Sequence, residues 1–285
     1  MNKALRLREL MAEPGIIVAP GCYDGLSARM VAKAGFDVVY MTGYGTAASV
    51  LGMADYGFIT MVEMATHAKN IANAVNIPLI ADADTGYGNP LNVIRTVHEY
   101  ERAGVAAMHL EDQVFPKRCG HMEGKQVVPL AEHAAKIRAA ADARKDMLII
   151  ARTDARAPLG LEAAIERGIA YHEAGADIIF VDAPQSVEEL QTIAEKIKAP
   201  LFVNMTEGGK TPLLTVKELG DLGYKIVIFP ISGLLSALKA MEKTLEVLKR
   251  TGSTRDVLNQ MSFPELNEII GLSKVQEIEK KYMPK

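Results

Sequence analysis

Lys117-Arg118-Cys119-Gly120-His121 places a thiol, an imidazole and two cations in five consecutive positions, hinged at a glycine. Upstream run two acidic groups, Asp82-Ala83-Asp84 and His109-Leu110-Glu111-Asp112. A cysteine reacts as its thiolate, and nearby positive charge favours that form. Clustered carboxylates hold hard cations such as Mg2+ through oxygen. Thiol and imidazole suit softer metals, which keeps Cys119 and His121 off such an ion. The stretch from Pro116 to Lys125 is too polar for a buried structural thiol. Gly120 and Gly124 permit the hinge motion of a closing lid. Cys22 has little chemistry around it and reads as a small packing residue.

Groups so far apart in the chain need a scaffold that gathers them. Eight short apolar runs recur: 16–19, 38–41, 78–81, 106–110, 147–151, 178–181, 201–203 and 226–229. Each is nearly continuous and partly β-branched, as parallel strands covered on both faces are. Alanine-rich amphipathic segments lie between them, and four close on Ala-Gly or Leu-Gly at about residues 34, 103, 174 and 222. Eight such units predict an α/β fold, a (β/α)8 TIM barrel, over residues 1–250. An open doubly wound sheet would need a charge-protected edge strand and a G-x-G-x-x-G turn. Neither is found, and Gly43-Tyr44-Gly45 is only a short echo of the turn. Residues 251–285 turn polar and helical and break near Phe263-Pro264. They read as a C-terminal arm of the same domain, either capping the barrel or packing on a partner subunit.

A chain of 285 residues suits one barrel of this kind. Its net charge of −3 argues against a nucleic-acid surface. Two cysteines make a disulfide framework unexpected and point to a reducing cytoplasm. No apolar run reaches the roughly 20 residues of a membrane span. The N-terminal MNKALRLREL lacks the apolar core of a signal peptide.

Barrel active sites form at the C-terminal ends of the strands. There the sequence offers Thr42-Gly43-Tyr44-Gly45, Asp82 and Asp84, His109 and Glu111, Arg152, Asp182, and Asn204 with Thr206. Asp82 and Asp84 are two apart, so on an extended strand both point the same way, and His109 and Glu111 repeat the spacing. Mg2+ takes few direct carboxylates and keeps several waters. Asp82 is therefore the expected direct ligand, with Asp84, Glu111 and Asp55 holding its waters. A structural salt-bridge role is the alternative for Asp84 or Asp112. Arg152 can clamp a substrate carboxylate with two parallel hydrogen bonds. The turn at Thr42–Gly45 offers backbone N–H groups as an anion seat.

Five motifs carry a resemblance: DADTGYGN (82–89), LEDQ (110–113), PKRCGH (116–121), ARTDA (151–155) and NMTEGGKTP (204–212). Together they resemble the isocitrate lyase/phosphoenolpyruvate mutase superfamily from about residue 8 to 280. The lid cysteine and small size resemble its 2-methylisocitrate lyase and 2,3-dimethylmalate lyase branch. The resemblance implies a barrel enzyme, a carbon–carbon lyase using Mg2+ (Mn2+ as a substitute). It implies a homotetramer, a dimer of helix-swapped dimers, acting on a small carboxylic acid. It implies retro-aldol-like cleavage of a 2-hydroxy dicarboxylate or tricarboxylate. Carried over, Asp82, Asp84, Asp55 and Glu111 are the metal site. Thr42, Gly43 and Tyr44 seat the α-keto acid carboxylate, and Arg152 clamps it. Cys119 is the general acid, while Lys117, Gly120, His121, Asp182, Asn204 and Thr206 are further substrate contacts. Tyr44 or a metal-held water is the expected base.

Two departures matter. Methylisocitrate lyases often carry Glu where this chain has Asp182, and an Arg-containing motif where it reads Met261-Ser262-Phe263-Pro264. The missing Arg removes a partner for a third carboxylate. PGCYDGLSA (20–28) and Tyr44 resemble the dimethylmalate lyase side, which favours an alkyl-substituted dicarboxylate. Oxaloacetate hydrolase or decarboxylase activity, phosphonopyruvate-type C–P chemistry and a non-catalytic binding barrel stay open. Pro230, as in the lyases, weighs against hydrolysis, and Cys119 against C–P chemistry.

Overall fold

The eight apolar runs become eight parallel strands: β1 Ile17–Cys22, β2 Val39–Met41, β3 Leu79–Asp82, β4 Ala107–Glu111, β5 Leu148–Thr153, β6 Ile178–Val181, β7 Leu201–Asn204 and β8 Ile226–Phe229. They pair in sequence order and close, with Ile17 opposite Ile226 and Pro20 opposite Phe229. The expected (β/α)8 barrel is therefore found. The computed structural model describes residues 2–120, 122, 124–258 and 260–283. Several strands run further than their apolar stretches, so Asp82, Glu111, Arg152 and Asn204 are strand residues and not loop residues. A side chain on the last turn of a strand is held by the sheet, which gives the site a rigid base.

The helices are α1 Lys3–Ala12, α2 Gly25–Lys33, α3 Gly43–Thr46, α4 Met61–Ala74, α5 Pro90–Ala103, α6 Leu130–Ala143, α7 Arg156–Leu159, α8 Leu161–Glu173, α9 Val187–Lys196, α10 Val216–Asp221, α11 Ser232–Thr251, α12 Phe263–Ile270 and α13 Leu272–Tyr282. One π-helical turn, Ala47–Leu51, follows α3. Capping residues start many of them. Asp24, Thr60, Asn89, Thr215 and Ser262 each accept a backbone N–H of the first turn.

Two hydrophobic layers result. The inner one fills the barrel with Tyr40, Ile80, Ile150, Phe180, Phe202 and Ile228, and Leu7 and Leu10 of α1 belong to it. The outer one lies between strands and helices and contains Cys22, fully buried as a packing residue. The C-terminal break does not fall at Phe263-Pro264. Proline fits the first turn of a helix, and α12 starts there; the chain breaks at Gly271, whose φ is +78°. α12 packs on α2 of its own chain, where Arg29 Nη1 donates to Ile269 O at 3.0 Å. α13 buries no residue. Among the described residues no helix is long and apolar enough to cross a membrane.

Candidate active site

A cavity of about 250 Å3 opens at the C-terminal ends of the strands. Of the expected residues, Thr42, Tyr44, Asp55, Asp82, Lys117, Cys119, Gly120, Arg152, Asp182, Asn204 and Thr206 line it. Gly43, Asp84 and Glu111 do not line it. His121 lies outside the described residues. A larger open cleft, about 670 Å3, lies among the turns before β3, β4 and β5 and contains none of the expected groups.

One wing of the site is acidic. Asp55, Asp82, Asp84 and Glu111 are each less than 5% exposed. Lys117 inserts its ammonium among them, 2.7 Å from Asp55 Oδ1 and 2.8 Å from Asp84 Oδ1. The extended-strand reading of Asp82 and Asp84 is wrong. β3 ends at Asp82, and Asp84 sits in the left-handed region at φ +46°. The two still converge, because the Asp84 N–H donates to Asp82 Oδ1 at 2.9 Å. Tyr100 donates to the Asp82 carbonyl at 2.9 Å. Gly43 lies so close that a Cβ there would stand 2.3 Å from Asp82 Oδ2.

Below Asp82, His109 is fully buried, with Nε2 3.7 Å from Asp82 Oδ1 and 2.7 Å from the Tyr40 hydroxyl. Burial pushes His109 down to about 4, so the ring is neutral at pH 7. Burial pushes Tyr40 well up. Asp84 is raised to about 7, by burial first and then by the charges of Asp82 and Asp55, against the pull of Lys117. Glu111 is raised well above its usual range by burial. Burial opposes the charge on Lys117, but Asp84, Glu111 and Asp55 more than offset it.

This wing fits a hard divalent cation. Both Glu111 carboxylate oxygens are buried with no hydrogen-bond donor, and the Arg152 Nη1 is 3.4 Å from Oε2. A buried carboxylate left so is costly unless a cation or ordered water serves it. No three ligating groups close on one point among the described residues.

The other wing is built on Arg152. Its guanidinium forks onto Asp154, at 2.9 and 3.0 Å, and stands 3.3 Å from Asp182 Oδ2. It also lies over the Phe180 ring at 5.2 Å. The expected clamp is thus already bidentate on a protein carboxylate, and Nη1 faces Glu111. Lys125 adds a second cation, 2.8 Å from Asp154 Oδ1. Burial would raise Asp154, yet Arg152 and Lys125 hold its carboxyl far below the usual range.

Asp112 is structural. It accepts from Thr153 Oγ1, the Asp154 N–H, Arg167 Nη1 and Tyr171 Oη at 2.7 to 3.0 Å. Of the two lid cations, Lys117 pairs with carboxylates and Arg118 lies 5.8 Å from the Tyr56 ring centroid. Tyr44 is 37% exposed, whereas Tyr40 is buried and lines the cavity. Tyr40 was missed because it sits inside an apolar run, where aromatic residues are ordinarily core. Asp154 and Gln113 stood inside the quoted motifs, and Lys125 at the end of the polar stretch, without a role, since only contacts made in the folded chain give them one.

A closed barrel with buried acids and a thiol-bearing loop at its C-terminal strand ends has the build of a barrel enzyme. Residues 7–249 match the family described as phosphoenolpyruvate phosphomutase, and the chain belongs to that family. It is 50% identical over 285 residues to a 2,3-dimethylmalate lyase of Eubacterium barkeri, covering 99% of each chain. A crystal structure of 2,3-dimethylmalate lyase, described as a PEP mutase/isocitrate lyase superfamily member, superposes with a TM-score of 0.95 at 42% identity, covering 99% of this chain and 96% of that one. A phosphonopyruvate hydrolase solved with oxalate and Mg2+ superposes with a TM-score of 0.91 at 32% identity, covering 100% of both chains. The chain is a carbon–carbon lyase of this metal-dependent family.

Proposed function

We propose that this lyase cleaves an alkyl-substituted 2-hydroxy dicarboxylate of the 2,3-dimethylmalate type into pyruvate and a second carboxylic acid. The cavity wall carries this reading. Its described lining cations are Lys117 and Arg152, and the same wall includes the apolar side chains of Phe180, Ile228, Pro230 and Ile231. Apolar side chains suit alkyl groups, and a third carboxylate would meet no further lysine or arginine among the described lining residues.

Asp82, with Asp55, Asp84 and Glu111 around it, would hold Mg2+, which when bound supplies Lewis-acid stabilisation of a substrate oxygen. Arg152 and the Gly43 and Tyr44 N–H groups orient the 2-carboxylate, the Thr42 and Gly45 N–H groups being bonded to Cys22 O and Thr42 Oγ1. The 2-hydroxyl proton passes to Tyr40, whose own proton moves to His109 Nε2, 2.7 Å away. The C2–C3 bond breaks, its electron pair stays on C3, and C2 becomes the pyruvate carbonyl. Cys119 then protonates C3 under a loop that keeps water out. Gly120, Asn204 and Thr206 face the second carboxylate end, Asp182 contributes by holding Arg152 at 3.3 Å, and His121 follows Cys119 by two residues.

The same reading treats the barrel (1–250) and arm (251–285) as one domain of a cytoplasmic homotetramer. Leu235, Leu238, Met241, Leu245 and Leu248 form an exposed stripe on α11, and Val275 and Ile278 one on α13. Such a surface is covered by further copies, the arm exchanged within each pair.

The test is a panel of 2,3-dimethylmalate, 2-methylisocitrate, isocitrate, oxaloacetate and phosphonopyruvate with pure protein and Mg2+. Pyruvate formed fastest from 2,3-dimethylmalate, and lost with EDTA, is the expected result. Faster cleavage of 2-methylisocitrate, or oxalate plus acetate from oxaloacetate, overturns it.

A further inference from the structure

We infer that Gln113 and Lys125 are positioning residues, which set the Cys119 thiol by gripping the backbone on either side of it. The inference rests on the reading of Cys119 as the acid. Gln113 follows Asp112 and is 2% exposed. Its amide Nε2 donates to the Arg118 carbonyl at 2.8 Å, and its Oε1 accepts the Arg118 N–H at 3.0 Å. One side chain thus satisfies both backbone groups of the residue before Cys119, as a neighbouring strand would.

On the other side, Lys125 Nζ donates to the Gly120 carbonyl at 2.5 Å. The same ammonium lies 2.8 Å from Asp154 Oδ1 and 3.4 Å from Asp182 Oδ2. Both acids also hold Arg152. The residue after Cys119 is therefore tied to the carboxylates that fix the expected substrate clamp. The approach is close: a Cβ on Gly120 would stand 2.0 Å from Asp182 Oδ2 and 2.5 Å from Arg152 Nη2.

The ends of the loop are joined as well. Val114 N–H donates to Gln126 O at 2.9 Å and Val128 N–H to Asp112 O at 2.9 Å. The joined ends by themselves leave the backbone around Cys119 to be placed by other contacts. The two grips supply those contacts. They arise from different places, one just past β4 and one on the loop's own return limb. A lysine serving only charge balance would need no contact with Gly120. Displacing a reacting group by about 1 Å is enough to cost about 100-fold in rate.

The test uses the full chain with Mg2+ and two variants, Gln113→Met and Lys125→Met. The readouts are kcat and KM for pyruvate release and, independently, the rate of alkylation of Cys119 by iodoacetamide, followed by peptide mass spectrometry. Cys22 is 0% exposed and reports global unfolding in the same sample. We expect kcat to fall about 10- to 100-fold with KM changed far less. We also expect Cys119 to alkylate several-fold faster while Cys22 stays unlabelled. A kcat within about twofold of wild type, or unchanged Cys119 labelling, overturns the inference. If a methionine variant labels at Cys22, the isosteric Gln113→Glu decides, since it keeps the acceptor for the Arg118 N–H and loses the donor. Faster labelling at Cys119 alone supports the grip, and wild-type labelling overturns it. Wild-type protein silent on the whole panel would remove the lyase substrate reading and leave the labelling ratio to judge the grips.

Discussion

At the scale of single residues, the chemistry depends on where protons and charges are held. Cys119→Ser should lower kcat by at least about 100-fold, the usual loss for a missing acid–base group. Steady-state pyruvate release checks this, and unchanged turnover removes Cys119 from the mechanism. Tyr40→Phe keeps the ring in the inner core and deletes only the hydroxyl bonded to His109. It should cut kcat far more than Tyr44→Phe does, and the reverse order would return the base to the exposed tyrosine. Gly43→Ala acts on the metal wing, since its Cβ would meet Asp82 Oδ2 at 2.3 Å. The carboxylate must shift, so the Mg2+ concentration for half activity should rise about 10-fold or more. A titration against Mg2+ reads that directly.

Elements are joined at the site by buried polar groups. Asp112 ties the end of β4 to the end of β5 and to Arg167 and Tyr171 of α8. Asp112→Ala leaves Arg167 without its carboxylate and should cost about 3–5 kcal/mol of stability, read by urea unfolding. A loss under about 1 kcal/mol would show that the network carries little. α6 contributes a second buried titratable group. Burial pushes His133 from 6.5 down to about 3, and its ring packs edge-on to Tyr171 with centroids 4.7 Å apart. Below about pH 6.5 the unfolded imidazole takes a proton that the folded one refuses, so the unfolded state binds more protons. Stability from this group is complete above pH 6.5 and falls as pH drops towards 3. His133→Leu should therefore flatten the fall in Tm between pH 6.5 and 4.5, and an unaltered slope would assign the acid sensitivity elsewhere.

For the whole molecule, a closed barrel has no free sheet edge, so the proposed tetramer would form through helices and loops. The exposed apolar stripes on α11 and α13 are the surfaces proposed for it. Light scattering should give the mass of four chains, and the double variant Leu238→Glu, Leu245→Glu should give a smaller species. A wild-type monomer, or a variant that keeps the wild-type mass, would count against these stripes as the interface.

Periodicity alone determined the barrel. Eight apolar runs separated by amphipathic segments admit few other closed arrangements, because each run must be covered on both faces. Residue type and position at strand ends also marked Asp82, Glu111, Arg152 and Cys119, since only one end of a barrel carries chemistry. Pairing across the barrel was not legible. Asp84 reaches Lys117 through a left-handed backbone and not through strand alternation. Arg152 spends its fork on Asp154. Tyr40 looks like core until His109, 69 residues away, gives its hydroxyl a partner. Local sequence sets which groups a strand end can present. Which of them face one another depends on barrel closure and loop conformation, and these long-range contacts exist only in the folded chain.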